Sequence, residues 1–370
     1  MKKVMGLIAA NYSPDLLGDL TIERPLAAMP FGGRYRLLDF ALSNMVNMGI
    51  HTVGIITPSH YRPIMDHLGA GKEWSLDRKR GGLFILPGLN YGYRNMATKF
   101  LLRDIMNNME YLIRADEEHV IISSANQVFN ISFEAMAKAH IAADADVTLL
   151  YKQTTGFYES PEEKIFLNLG DAGRVDSMSH SQAAVKENLF CDVIVIKRKL
   201  LMQFIEWYRE VPYIDLMEVI EQNIRTVNVR SYEMTGYSHR IDSVENYFQT
   251  SMDLLKKEVR EELFTGERKI YTKVRDNVPT RYETGCKVRN SLIANGCTIQ
   301  GQIENSVLSR RCVVKPGAVV KNCIIMQGAV INSGAVLENA IIDKYTEISA
   351  DTVIKGKAEK PIYLRKMATI

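Results

Sequence analysis

The sequence has almost no net charge of either sign: 46 Lys and Arg stand against 43 Asp and Glu in 370 residues. Without a basic excess there is no electrostatic footprint for nucleic acid or an anionic membrane surface, and neither is expected as a partner. Long apolar runs are also missing, and nothing approaches the roughly 20 apolar residues that span a bilayer. The opening Met1-Lys2-Lys3 and its short apolar continuation run straight into Asn11-Tyr12-Ser13-Pro14-Asp15. That is too brief for a secretion signal, so it reads as a first strand and the chain as cytoplasmic. Cysteine is scarce. Cys191, Cys286, Cys297, Cys312 and Cys323 include no Cys-x-x-Cys pair, which speaks for reduced packing residues rather than metal ligands.

What is present is a chain long enough for two domains, with 46% hydrophobic residues to fill their cores. Residues 4–10 read as a buried strand, and Leu38, Leu42, Met45 and Val46 recur at helical spacing up to Gly49. Residues 53–57 make the next strand. This is a βαβ unit, whose strand ends open onto a ligand crevice. The alternation continues with a helix over 60–68, a strand over 83–86, a helix over 97–113, and a strand over 120–123. A helix over 133–142 capped by Ser132 and a strand over 147–151 follow. Residues 165–178 form a hairpin about Asp171-Ala172-Gly173, followed by a strand over 190–196 and helices over 199–208 and 214–224. One long helix, 244–264, closes the unit. The fold class is α/β, with a Rossmann-like, mainly parallel mixed sheet over residues 1–264. Periodicity fades over 265–285, the expected linker.

The C-terminal region repeats itself. Asn290, Asn305, Asn322 and Asn339 head successive segments, the last three in register at a period of 17. Bulky aliphatics fall six apart at Leu308, Val314 and Val320, at Ile325, Ile331 and Leu337, and at Ile342, Ile348 and Ile354. Two residues before each sits a small one, such as Cys312, Ala329 or Thr352. Three short sides per turn, each with one large and one small inward residue, describe a triangular parallel β-helix over 286–356, followed by a tail over 357–370. Cys286, Cys297, Cys312 and Cys323 fall in its small column. Hexapeptide acyltransferases place a His base between such coils, but the seven histidines end at His239, before the prism begins.

The run Phe31-Gly32-Gly33-Arg34-Tyr35-Arg36-Leu37-Leu38-Asp39-Phe40, with Ala41-Leu42-Ser43-Asn44 after it, closely resembles the bacterial ADP-glucose pyrophosphorylases. The likeness extends to Tyr93-Arg94, residues 120–124, residues 237–254 and the repeats, nearly the whole chain. It implies a nucleotidyltransferase domain followed by a left-handed β-helix. In the family, ATP and glucose 1-phosphate give ADP-glucose for glycogen synthesis.

The resemblance also shows what has been replaced. Catalytic members carry a Gly-Gly-x-Gly-x-Arg-Leu loop whose amides hug a triphosphate; here the loop reads Ala9-Ala10-Asn11-Tyr12-Ser13-Pro14-Asp15-Leu16. The family's two metal-binding Asp positions correspond to Asn126 and Arg240. Its glucose 1-phosphate Lys corresponds to Ser181, and its activator-linked Lys to Leu26. A fixed cation about 4 Å from a divalent ion opposes it by roughly 4 kcal/mol per unit charge at an effective dielectric of 20. Each lost preorganised charge costs about 3 kcal/mol or more of transition-state stabilisation. No catalytic residue, metal ligand or bound cofactor is therefore expected in this chain, with Mg²⁺ confined to a catalytic partner. Tyr93 and Arg94 remain as residual crevice candidates. Asp39 is expected to anchor a loop or cap its helix and Asp15 and Asp242 to be solvated, a substitute metal role for any of the three being the lesser alternative; Arg34 and Arg36 are expected to pair bidentately with neighbouring carboxylates, the alternative being an anionic effector.

The resemblance thus points to the family's non-catalytic subunit type, expected to assemble with an active homologous chain as a heterotetramer, or with itself when alone. The alternatives are a weakly active adenylyltransferase and a stand-alone sensor of nucleotide or sugar phosphate.

Overall fold

The computed structural model describes residues 3–12, 15–88, 99–154 and 157–370. Strand β1, Val4–Ala9, is buried along its whole length because it lies mid-sheet with helices on both faces. Its side chains alternate: Met5 and Leu7 join the core on one face, Val4 and Ile8 the core on the other. Gly6 lets the helix Leu37–Asn47 close on the strand, since a Cβ there would meet the Met45 sulfur at 2.6 Å.

Eight more strands complete the sheet: β2 Thr52–Thr57, β3 Gly82–Pro87, β4 His119–Ser124, β5 Val147–Gln153, β6 Phe157–Leu169, β7 Val175–Val185, β8 Asn188–Lys197 and β9 Val229–Glu233. The main path runs β7-β6-β8-β4-β1-β2-β3, with β5 pairing β8 and β9. β3, β2, β1 and β4 are parallel, β8 runs against β4, and β6–β7 is the antiparallel hairpin. The mainly parallel mixed sheet is thus present, with a hairpin longer than the expected 165–178. A two-stranded ribbon, Gln127–Phe129 with Ser238–Arg240, lies beyond the end of β4.

Two expected helices are broken. Within 97–113, helices Leu102–Asn107 and Met109–Ile113 are separated at Asn108, whose amide donates to Pro87 O and Asp104 O. That side chain competes with the helical ladder. Within 244–264, Val244–Asp253 and Lys257–Phe264 are separated where Lys256 becomes extended, and Arg260 takes the freed carbonyl of Leu254 at 2.8 Å.

The repeats form a prism of parallel strands, with Val319–Ile325 on Val336–Ile342 in the 17-residue register. Leu308, Val314, Val320, Ile325, Ile331, Leu337, Ile342, Ile348 and Ile354 are all buried inside it. Cys297, Cys312 and Cys323 are buried, Cys286 is half-buried at the first coil, and none is in a disulfide. The prism is longer than 286–356. Arg281–Tyr282, within the stretch read as linker, pairs with Thr298–Ile299, and Ile362–Leu364, within the tail, pairs with Ala340–Ile342. The two domains share a core in which Leu26, Phe31, Tyr247 and Phe248 meet Ile324 and Ile341. Among the described residues no helix is long and apolar enough to cross a membrane.

Candidate functional site

The parallel strands β1, β2 and β4 end on one side of the sheet, where a ligand crevice is expected. Behind β1 the backbone is already committed: Ala10 N donates to Ile56 O at 2.9 Å, and Ala9 O accepts from Ala125 N. Asn11 reaches sideways to the buried Asp104 carboxylate at 2.5 Å. Ser13 and Pro14, like Tyr93 and Arg94, lie outside the described residues.

Asn126 and Arg240 are brought together. Arg240 sits opposite Gln127 in the ribbon, and Asn126 bonds Ile241 in both directions: Ile241 N donates to Asn126 O at 2.8 Å, and Asn126 Nδ2 donates to Ile241 O at 3.3 Å. Both residues are firmly placed. The Asn126 side-chain oxygen is buried without a hydrogen-bond partner. Arg240 points its guanidinium at β8, Nε lying 3.0 Å from Asp192 Oδ2 and Nη2 donating to Phe190 O at 2.7 Å.

Asp192 is the hub of this crevice. It sits at a register shift between Phe190 and Ile194, with φ of 47°, a left-handed conformation that Asp tolerates better than most residues. Its Oδ2 also accepts from Lys99 Nζ at 2.8 Å, and Lys99 lies over the Tyr12 ring. Burial alone would raise the Asp192 carboxyl, but Arg240 and Lys99 together hold it below the usual carboxylate range. Burial, reinforced by Arg240, pushes Lys99 down to about 8 against the pull of Asp192.

A second pair stands close by. Lys164 Nζ donates to Asp242 Oδ2 at 2.7 Å, both side chains being almost fully buried. Asp242 was expected in solvent. It is instead drawn inward by a lysine on β6 and held by Asn246 from the following helix. Lys164 is the register partner of Ser181 on β7, so the strand beside the degenerate sugar-phosphate position supplies a cation already engaged elsewhere. Ser181 itself closes a local turn, its Oγ donating to Ala183 O at 2.6 Å. Leu26 is buried in the interdomain core, where an ammonium would be desolvated.

The flanking expectations resolve differently. Asp39 caps its helix, accepting from Arg36 N at 2.9 Å, and contacts His67 Nε2 at 2.6 Å. Arg36 is not paired bidentately with a carboxylate; its guanidinium donates to Ala28 O and Pro63 O. Arg34 lies over the Tyr35 ring. Sequence reading missed Lys99, Lys164 and Asp192. The available signal was Asp192, a charge inside an otherwise apolar strand.

Chemically, three cations (Lys99, Lys164, Arg240) stand around the crevice with the carboxylates of Asp192 and Asp242, both in ion pairs, and of Asp104, which accepts from Asn11. Among the described residues no group of three or more His, Cys, Asp or Glu is placed to hold a metal. The donor set does not fit a divalent ion, which needs anionic oxygens free to coordinate it.

Comparison with known proteins agrees with this architecture. The nucleotidyl transferase family matches residues 15–161, and the GlmU-like C-terminal hexapeptide family matches residues 277–361. The chain is 37% identical over 366 residues to the glycogen biosynthesis protein GlgD of Bacillus subtilis, covering 98% of this chain and 96% of that one. It is 37% identical over 364 residues to GlgD of Geobacillus stearothermophilus, again 98% and 96% covered. Against a glucose-1-phosphate adenylyltransferase of Clostridium perfringens it is 30% identical over 328 residues, covering 86% of this chain and 83% of the relative. Sequence, sheet and prism together place the chain in the GlgD and ADP-glucose pyrophosphorylase family.

Proposed function

We propose that this chain is a catalytically deficient subunit that assembles with an active homologous adenylyltransferase chain, as a heterotetramer, and modulates ADP-glucose synthesis for glycogen. The observation that carries this reading is the ion network at the expected metal position. Arg240 and Lys99 share the single carboxylate of Asp192, and Asn126 offers an amide where a carboxylate is required. A divalent cation brought there meets guanidinium and ammonium and, among the described residues, no free carboxylate, so the chain holds no Mg²⁺ and the metal belongs to the partner. The hydrophobic registers are intact while the electrostatics of the reaction are gone, which supports a role exerted through the fold and its surfaces. Modulation is then a population shift, in which binding favours the partner's active conformation through a differential affinity of about 1–3 kcal/mol.

The test is direct. The purified chain is assayed with ATP, Mg²⁺ and glucose 1-phosphate, alone and mixed with an active homologue, while mass is measured in parallel. No turnover alone, a mixed species and an altered partner rate are expected. Turnover by the isolated chain within about tenfold of the homologue would overturn the reading.

A further inference from the structure

At the opposite end of the sheet from the crevice, where β4 begins and β8 ends, a cavity of about 370 Å³ opens beside His119, His140 and Lys197. His140, in the last turn of the helix Phe133–Ala142, is buried, with Nδ1 2.8 Å from Thr148 Oγ1 and Nε2 3.1 Å from His119 Nδ1. The direction of this chain follows from the hydroxyl. Thr148 has no hydrogen-bond partner other than His140 Nδ1 among the described residues, so its O–H donates there. His140 Nε2–H then donates to His119 Nδ1, which leaves the His119 proton on Nε2. That N–H has no partner among the described residues, and His119 lines the cavity while only 8% exposed. Both rings are neutral near pH 7, as burial lowers His119, and burial foremost, then His119 and Lys197, bring His140 down to about 4 against Asp146 and Asp144.

The helix Arg198–Trp207 starts at the same cavity, and its N-terminus is unusual. It has no side-chain cap and no acidic residue in its first turn; instead Lys197, Arg198 and Lys199 stand there in succession. Cations at the positive end of a helix dipole repel it. Lys197 is shared by two carboxylates, Asp144 at 2.8 Å and Asp146 at 2.9 Å, which leaves one negative charge over, and Glu118 is paired with Lys3 at 3.3 Å. Arg198 donates to the carbonyls of Glu117 and Leu112 and has no ion-pair partner among the described residues. Lys199 is exposed and has no ion-pair partner among the described residues.

We propose that this cavity is a binding site for a small phosphate-class anion, taken up by the His119 Nε2–H, the first turn of the helix Arg198–Trp207 and the charges of Arg198 and Lys199. A buried imidazole donor, the first-turn amides beyond Arg198, whose own N–H donates to Glu118 O at 2.8 Å, and the cations Arg198 and Lys199 border one cavity, the recurring chemistry of phosphate recognition. The site lies across the sheet from the ion network and stands independently of the silent-subunit reading.

The full chain, with its histidine rings isotopically labelled, is titrated by NMR with inorganic phosphate and, separately, with glucose 1-phosphate. Saturable shifts of the His119 ring are expected with at least one probe. Tighter binding of the ester marks an organic phosphate as the ligand, and equal binding marks the phosphate group itself. Lys199→Glu, a surface change that leaves the packing untouched, should weaken the affinity by about tenfold or more. A His119 ring that does not respond to either probe, or an affinity unchanged in Lys199→Glu, would overturn the proposal.

Discussion

Asp192 serves two cations with one carboxylate. Lys99 Nζ and Arg240 Nε lie 2.8 and 3.0 Å from the same Oδ2. Removing that charge takes from two buried cations the carboxylate they share, which costs far more than the pair contributes over an apolar replacement. Asp192→Asn is the clean probe, because Asn is at ease at the φ of 47° found there and only the charge is lost. The expected loss is about 3–5 kcal/mol in urea unfolding, and adding Lys99→Met should recover part of it. A loss below about 1 kcal/mol would show that water, rather than Asp192, compensates the cations. This network was only half legible in the sequence. Asn126 and Arg240 were found because a motif marks their positions. Lys99 and Lys164 were not, since their partners stand 93 and 78 residues away and no spacing rule links them.

At the scale of the element, the repeats were legible for a physical reason and the helix breaks were not. A prism coil uses the same inward column every 17 residues, so its packing is written in the sequence as repetition. A break made by the Asn108 side chain, or by Arg260 reaching back to Leu254 O, depends on a single local competition that hydrophobic periodicity does not record. The corner asparagines show a reason that the repeat alone did not supply. Asn290, Asn305, Asn322 and Asn339 have φ of 41°, 46°, 49° and 50°, and the side chains stack, Asn290 on Asn305 at 2.8 Å and Asn322 on Asn339 at 3.2 Å. Each corner needs a left-handed residue that also bonds along the prism axis. Asn322→Gly keeps the turn and loses the bond, an expected cost of about 1 kcal/mol. Asn322→Val forces a β-branched residue into the same turn and should cost about 1–3 kcal/mol more. Equal stabilities for the two variants in chemical unfolding would show that the corner is not strained.

Over the whole molecule, the two domains are joined by charge as well as by apolar contact. Arg24 donates to both oxygens of Asp343 at 2.8 and 2.6 Å, and Tyr363 Oη donates to the same carboxylate at 2.6 Å. Arg365 and Lys366 pair with Asp19 and Glu23, so the C-terminal segment straps the loop that follows β1 to the prism. Lys344 is the misfit in this seam. Burial foremost, then Arg36 and Arg24, bring it down to about 7, while Asp343 favours its charge and Lys366 opposes it. Its pKa falls from 10.5 in the unfolded chain, so between about pH 7 and pH 10.5 the unfolded state binds more protons and Lys344 makes stability rise with pH. Below about pH 7 the ammonium is present in both states, and the penalty for burying it is complete. Lys344→Met removes that penalty without removing the bulk. The variant should be more stable than the parent at neutral pH by on the order of 1–2 kcal/mol, discounted for partial solvent screening. The advantage should shrink as pH rises and vanish near pH 10.5, where the parent lysine is neutral in both states. Urea unfolding of both proteins across that range decides the matter. A gain that persists undiminished at alkaline pH would assign the effect to packing at the seam, and an absence of gain at neutral pH would mean that the folded protein already solvates the ammonium.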